Sequence, residues 1–161
     1  RGSEFGGRHL DLEPETLNSL WENVGIVQVN EKEAETFVRN YFNRIGGKAN
    51  DMQHVVNADW TIITLGAKGI RGFEGEKMRE EGPIDASFAR RALDGQYSAG
   101  NEIGCGDVVL STLIALKEAV PEIPLPAALH LANVMGTLQY HNIGSNLSTL
   151  TGDFRWDQME A

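Results

Sequence analysis

Apolar residues recur along this chain with two different periods, and the switch between them marks out the elements. After Pro14, Leu17, Leu20 and Trp21 recur at helical spacing and predict a short helix ending near Asn23. Val24, Ile26, Val27 and Val29 form a β-branched run too short for a helix, which predicts a buried parallel strand. Asn30 follows as an N-cap, with Glu31 and Glu33 in the first turn, where the helix dipole favours negative charge. The helix predicted over about 31–43 carries Ala34, Phe37, Val38, Tyr41 and Phe42 on one stripe and stops at Gly46-Gly47. A second strand covers Trp60 to Leu65, and 70–73 with 77–80 read as a hairpin around Glu74-Gly75-Glu76. Residues 82–100 are mostly loop, with a short helical turn near 89–93. The segment 108–120 is apolar almost all round and predicts a buried helix, and a last helix spans about 125–140. Strands alternating with helices indicate an α/β layered sandwich on a mostly parallel sheet.

Composition narrows the classes. With 161 residues the chain suffices for one domain of ordinary size that buries a core without disulfides or a structural metal. Fourteen Lys plus Arg against 23 Asp plus Glu give a net charge of −9, which disfavours nucleic-acid and membrane-surface partners. No apolar stretch reaches the roughly 20 residues of a membrane span and none reads as a signal peptide, so a cytoplasmic location is expected. Cys105 is the single cysteine, and His9, His54, His130 and His141 have no ligand spacing. Residues 1–7, Arg-Gly-Ser-Glu-Phe-Gly-Gly, read as an expression-vector remnant.

Several of the 18 glycines sit where chemistry is possible. Gly104-Cys105-Gly106-Asp107 ends a loop and opens a helix, so small residues present backbone N–H groups at the positive end of a helix dipole, a natural anion site. A carboxylate in the next position repels that anion. Asp107 is therefore either a general base for a hydroxyl attacking a phosphoryl group or an N-cap in a glycine loop.

These residues resemble the ribokinase-like carbohydrate kinases, the PfkB family, whose Gly-Ala-Gly-Asp signature is similar to Gly104-Cys105-Gly106-Asp107. Asn30-Glu31-Lys32-Glu33 is similar to the family's Asn-x-x-Glu motif, and Thr64-Leu65-Gly66-Ala67-Lys68-Gly69 to its Thr-x-Gly-x-x-Gly nucleotide loop. The likeness covers roughly residues 10–150 and corresponds to the C-terminal half of such a kinase. Within the family, residues 108–115 and the stretch from Leu131-Ala132-Asn133 to Gly144-Ser145 are most similar to bacterial heptose-7-phosphate kinases. The resemblance implies a ribokinase-like three-layer sandwich that binds ATP with Mg²⁺ and, in a full-length protein, a small sugar or sugar phosphate. It implies Asp107 as catalytic base and the N–H groups of Gly104, Cys105 and Gly106 as the anion hole. It also implies Asn30 and Glu33 acting on Mg²⁺ through water, Thr64, Gly66 and Gly69 lining the nucleotide site, and Asn133 near the adenine or ribose.

Departures accompany these matches. The family's Asp-Thr-x run before the glycines is here Asn101, Glu102 and Ile103, which adds an acidic residue near the phosphates, and Cys105 replaces the usual alanine. The family's N-terminal half, with most of the sugar pocket, the lid and the Gly-Gly acceptor motif, has no counterpart, so residues 8–161 are expected to be the C-terminal half of a kinase domain. Two functions follow: the nucleotide-binding and catalytic half of a sugar kinase, inactive by itself, or a non-catalytic nucleotide-binding or scaffold module. A cysteine hydrolase using Cys105 lacks both a strand-elbow pattern and a histidine placed by sequence to activate it. Trp21, Trp60 and Trp156 read as packing residues and His130 as a surface or capping one, while His141 lies close to Gly144 near the implied nucleotide edge.

Overall fold

The computed structural model describes residues 24–42, 47–93, 100 and 102–141. The expected vector remnant, the helix ending near Asn23, Trp21, Trp156, Gly46, Asn101 and the tail beyond His141 lie outside the described residues. The order of elements is β1 (Ile26–Asn30), α1 (Glu31–Phe42), a 3₁₀ helix (Ala49–His54), β2 (Trp60–Thr64), a 3₁₀ turn (Gly66–Lys68), β3 (Ile70–Glu74), β4 (Lys77–Glu81), α2 (Ala86–Ala92), α3 (Cys105–Ala119) and α4 (Leu125–His141). The chain divides into two compact units, the first holding the described residues up to Gly66 together with 70–80, the second 67–69 and the residues from Glu81 onward.

The first unit is built on a sheet of order β1-β2-β3-β4. β1 and β2 run parallel, with Asn30 opposite Thr64, and β2 pairs antiparallel with β3. The fold is α/β, as the alternating pattern indicates, but the sheet is mixed where a mostly parallel one was expected. The reason is connection length. Parallel neighbours need a crossover of a dozen or more residues, which α1 and the 3₁₀ helix supply, whereas Gly66–Lys68 and the Gly75 turn are too short for anything but reversal. Gly75 has φ +57, the left-handed conformation that such a tight turn requires.

β2 reads Trp-Thr-Ile-Ile-Thr, and its first four residues are buried, as expected of a central strand. Trp60 is 1% exposed, and its indole N–H donates to Glu74 at 3.2 Å, so it is a core residue with a satisfied polar edge. Ala34 and Val38 of α1 pack in a core with Val27, Met52, Ile63 and Phe73, a cluster that does not include Trp60, while Phe37 and Tyr41 stack at its margin with ring centroids 6.5 Å apart. The predicted apolar stripe is thus the packed face; the Phe42 side chain lies outside the described part. Across β3 and β4, Arg71 donates to Glu80 through Nε at 2.8 Å and Nη2 at 2.6 Å, and also to Asn50.

In the second unit, Asp85 caps α2 by accepting from the Ser87 N–H at 3.0 Å. The Ser87 hydroxyl and N–H together hold its carboxyl below the usual carboxylate range. Ala89 and Leu93 pack against Val134 and Leu138 of α4. α3 is longer than the pattern predicts, starting at Cys105, and it is not buried all round: Val109 and Leu113 are its buried residues, and Ile114 is 47% exposed. Gly136 lets α3 and α4 approach closely, since a Cβ there would lie 2.9 Å from Val109 Cγ2.

Candidate functional site

In the first unit, adjacent parallel strands end side by side, a place where open α/β sheets commonly receive ligands. Asn30 and Thr64 are register partners there. The Asn-x-x-Glu motif has a structural role that the sequence only half revealed. Asn30 Oδ1 accepts from the Glu33 N–H at 2.9 Å, and Glu33 Oε2 accepts from the Asn30 N–H at 2.9 Å. The two form a reciprocal capping box that starts α1. Thr64 Oγ1 accepts from Gln28 Nε2 and donates to the Val29 carbonyl, both at 3.4 Å, which ties it to β1. Gly66 follows with φ +59, and a Cβ there would meet nothing within 4 Å.

Among the described residues no group of three or more His, Cys, Asp or Glu could hold a metal ion. The donor set near β1 is the Glu33 carboxylate and the Asn30 amide oxygen, both hard oxygens and both engaged in the cap. That set cannot cage a cation by itself. It does fit Mg²⁺ held chiefly by phosphates and its own waters, with protein oxygens outside them.

In the second unit, Gly69 has φ +103, and a Cβ would fall 2.1 Å from the Glu81 carbonyl oxygen and 2.8 Å from Gly82 C. Only glycine allows this approach. Asn133, 8% exposed on α4, donates its amide N–H to the Gly82 carbonyl at 2.7 Å. One turn earlier, His130 Nδ1 lies 3.4 Å from Glu81 Oε2 on the surface.

α3 opens on Gly104, its N-cap, in the left-handed conformation at φ 78. Asp107 is therefore not the N-cap, and the alternative that it merely caps the helix falls. It is the third residue of the first turn, and it is exposed. The first helical bond runs from the Val108 N–H to the Gly104 carbonyl at 3.0 Å, and the Cys105 N–H reaches back to Glu102 O at 3.3 Å. Among the described residues, no hydrogen bond engages the N–H of Gly106 or Asp107, and both lie at the positive end of the α3 dipole.

Cys105 is half-buried. Burial pushes its thiol up from the ordinary value and the Glu102 carboxylate adds to the rise, so the activation a helix N-terminus can give a thiol does not prevail.

Gln139, 1% exposed on α4, donates to the Ile103 carbonyl at 3.1 Å and so holds the residue just before the Gly104 turn. Sequence reasoning missed it. Its only sign was a glutamine within a helix rich in Leu and Ala. His141, 9% exposed, packs its ring edge-to-face on Tyr140 with centroids 4.9 Å apart.

The predicted residues thus form two groups, each within one unit: Asn30, Glu33, Thr64 and Gly66 in the first, Gly69, Gly104, Cys105, Gly106, Asp107 and Asn133 in the second.

No protein-family model matches the chain, and no curated protein matches its sequence. Solved structures do match. A nucleoside kinase from Burkholderia thailandensis in complex with inosine aligns at TM-score 0.62 and 21% identity, covering 86% of this chain and 40% of that one. A ribokinase from Cryptococcus neoformans in complex with ADP aligns at 0.58 and 20%, covering 88% and 48%. A point mutant of Escherichia coli phosphofructokinase-2 aligns at 0.55 and 22%, covering 74% and 36%. The fold is therefore ribokinase-like, and the chain spans less than half the length of each of these structures.

Proposed function

We propose that this chain is the nucleotide-binding part of an ATP-dependent sugar or sugar-phosphate kinase. The observation that carries the reading is the start of α3: a left-handed Gly104 presents the N–H groups of Gly106 and Asp107 beside the exposed Asp107 carboxylate. Such a pair serves phosphoryl transfer, which needs charge stabilisation and a proton acceptor more than covalent chemistry.

In this reading the backbone of Gly104, Cys105 and Gly106, with the Asp107 N–H, stabilises charge on the transferred group. Asp107 takes the proton of the attacking sugar hydroxyl. Thr64, Gly66 and Gly69 line the nucleotide, and Asn133 belongs to its adenine or ribose edge. Asn30 and Glu33 would hold Mg²⁺ through water, and the ion would supply positive charge against the nucleotide phosphates. The likeness of residues 108–115 to heptose-7-phosphate kinases makes a heptose phosphate the acceptor to try first.

A second reading, a nucleotide-binding or scaffold module without turnover, is favoured by Glu102, whose carboxylate precedes the anion loop where the resembling kinases carry a small hydroxyl. Calorimetry of the chain with ATP and Mg²⁺ is expected to give weak binding, and none at millimolar nucleotide removes both readings. Asp107→Asn, in a protein that contains this chain and transfers phosphate, is expected to lower turnover on the order of 10²- to 10⁴-fold while sparing ATP affinity. Turnover near that of the parent protein would leave the second reading alone.

A further inference from the structure

Two buried amides on α4, Asn133, which the kinase reading puts at the nucleotide edge, and Gln139, which it leaves unused, both end on glycine loops of their own unit. Asn133 Nδ2 donates to the Gly82 carbonyl at 2.7 Å, and Gln139 Nε2 to the Ile103 carbonyl at 3.1 Å. A buried side-chain donor is retained at a cost in desolvation and rotamer freedom, which an apolar residue at the same position would avoid. What each amide holds is therefore informative. Gly82 is part of the backbone on which Gly69 closes, with no room for a Cβ at Gly69. Ile103 immediately precedes Gly104, whose left-handed turn aims the first N–H groups of α3. α4 itself is anchored to α3 at Gly136, between the two amides, where a Cβ would lie 2.9 Å from Val109 and 3.9 Å from the Cys105 carbonyl.

We infer that Asn133 and Gln139 are a pair of positioning residues, through which α4 sets the geometry of the Gly69 loop end and of the Gly104 anion loop. The inference rests on the kinase reading for its purpose, but not for its geometry. It gives Asn133 a role in which the amide N–H faces Gly82 backbone instead of a base or ribose. It also explains why a helix rich in Leu and Ala carries polar amides at 8% and 1% exposure.

Amide hydrogen exchange of the nucleotide-free chain tests the pair directly. Asn133→Leu and Gln139→Met keep the side-chain size closely and remove the donor without adding an ionisable group. Gln139→Met is expected to speed exchange about tenfold at Cys105 and Val108, whose N–H groups donate to the Glu102 and Gly104 carbonyls, while leaving 69–70 unchanged, and Asn133→Leu to do the reverse, as loss of one buried hydrogen bond predicts. Equal acceleration throughout α4, or no change at either loop, overturns the inference. Should either variant fail to fold, the parent chain still decides the matter by NMR: the side-chain NH₂ protons of Asn133 and Gln139 must be protected from exchange, and rapid exchange of both overturns the pairing. Calorimetry with ATP and Mg²⁺ on the same samples separates the two claims. Loop-specific exchange without nucleotide binding keeps the positioning role and removes the kinase reading, whereas binding that is indifferent to both variants, with unchanged loops, removes the positioning role alone.

Discussion

Gly66 and Gly69 belong to one sequence motif, and the sequence gives them the same weight; their surroundings do not. At Gly69 a methyl group meets carbonyl oxygen at 2.1 Å with φ at +103, so Gly69→Ala combines backbone strain with a backbone clash and is expected to cost about 2 to 5 kcal/mol in chemical denaturation. At Gly66 only the left-handed φ of +59 opposes a side chain, and Gly66→Ala is expected to cost about 1 kcal/mol. Equal losses would mean that the approach to Glu81 is not maintained in solution. Cys105 gives the second residue-scale test. Its thiol sits above the ordinary value because of burial first and Glu102 second, so the thiolate fraction at any pH near neutrality is smaller than that of a free cysteine. Alkylation by iodoacetamide at pH 8 should be slower than for glutathione, and Glu102→Gln should speed it. A rate above that of glutathione would restore the dipole-activated thiol that the structure argues against.

At the scale of elements, what could be read from the sequence depended on whether a signal was local. The start of α1 was legible because the capping residues are three apart, and Asn30 and Glu33 satisfy each other's backbone. The same bonds complicate the chemical reading of the motif, since a carboxylate that caps a helix needs no cation to explain it. Substitution separates the roles. Glu33→Gln retains a capping acceptor and is expected to leave the thermal midpoint nearly unchanged while weakening Mg²⁺-dependent nucleotide binding. Glu33→Ala removes the box and should also destabilise α1 by about 0.5 to 2 kcal/mol. If Glu33→Gln binds Mg²⁺ and ATP like the parent chain, the motif is a cap only. α3 was legible in position but not in environment: apolar composition all round implied burial, and tertiary packing covers Val109 and Leu113 while leaving Ile114 exposed. The links from α4 to Gly82 and Ile103 were not legible at all, because they join residues 51 and 36 positions apart and no local period encodes such a contact.

Across the whole molecule, topology follows from connection lengths. The long passage through α1 permits the parallel β1–β2 pair, and the short turns after β2 and β3 enforce reversal, which strand periodicity alone does not reveal. Charge is the other property of this scale, and it sets long-range field against local site. The chain carries −9, so free ATP approaches a repulsive field even though the proposed anion loop presents N–H donors. Over distances beyond the loop the net charge dominates, and its reach contracts from about 30 Å at 0.01 M salt to about 8 Å at 0.15 M. Binding of metal-free ATP is therefore expected to strengthen, by about tenfold or less, as potassium chloride rises across that range, opposite to the behaviour of a basic phosphate-binding surface. Titrations of the chain with ATP in EDTA at the two salt concentrations measure the sign. Weakening with salt would mean that the local donors and nearby cations outweigh the global field, and that the acidic composition has no bearing on how nucleotide is admitted.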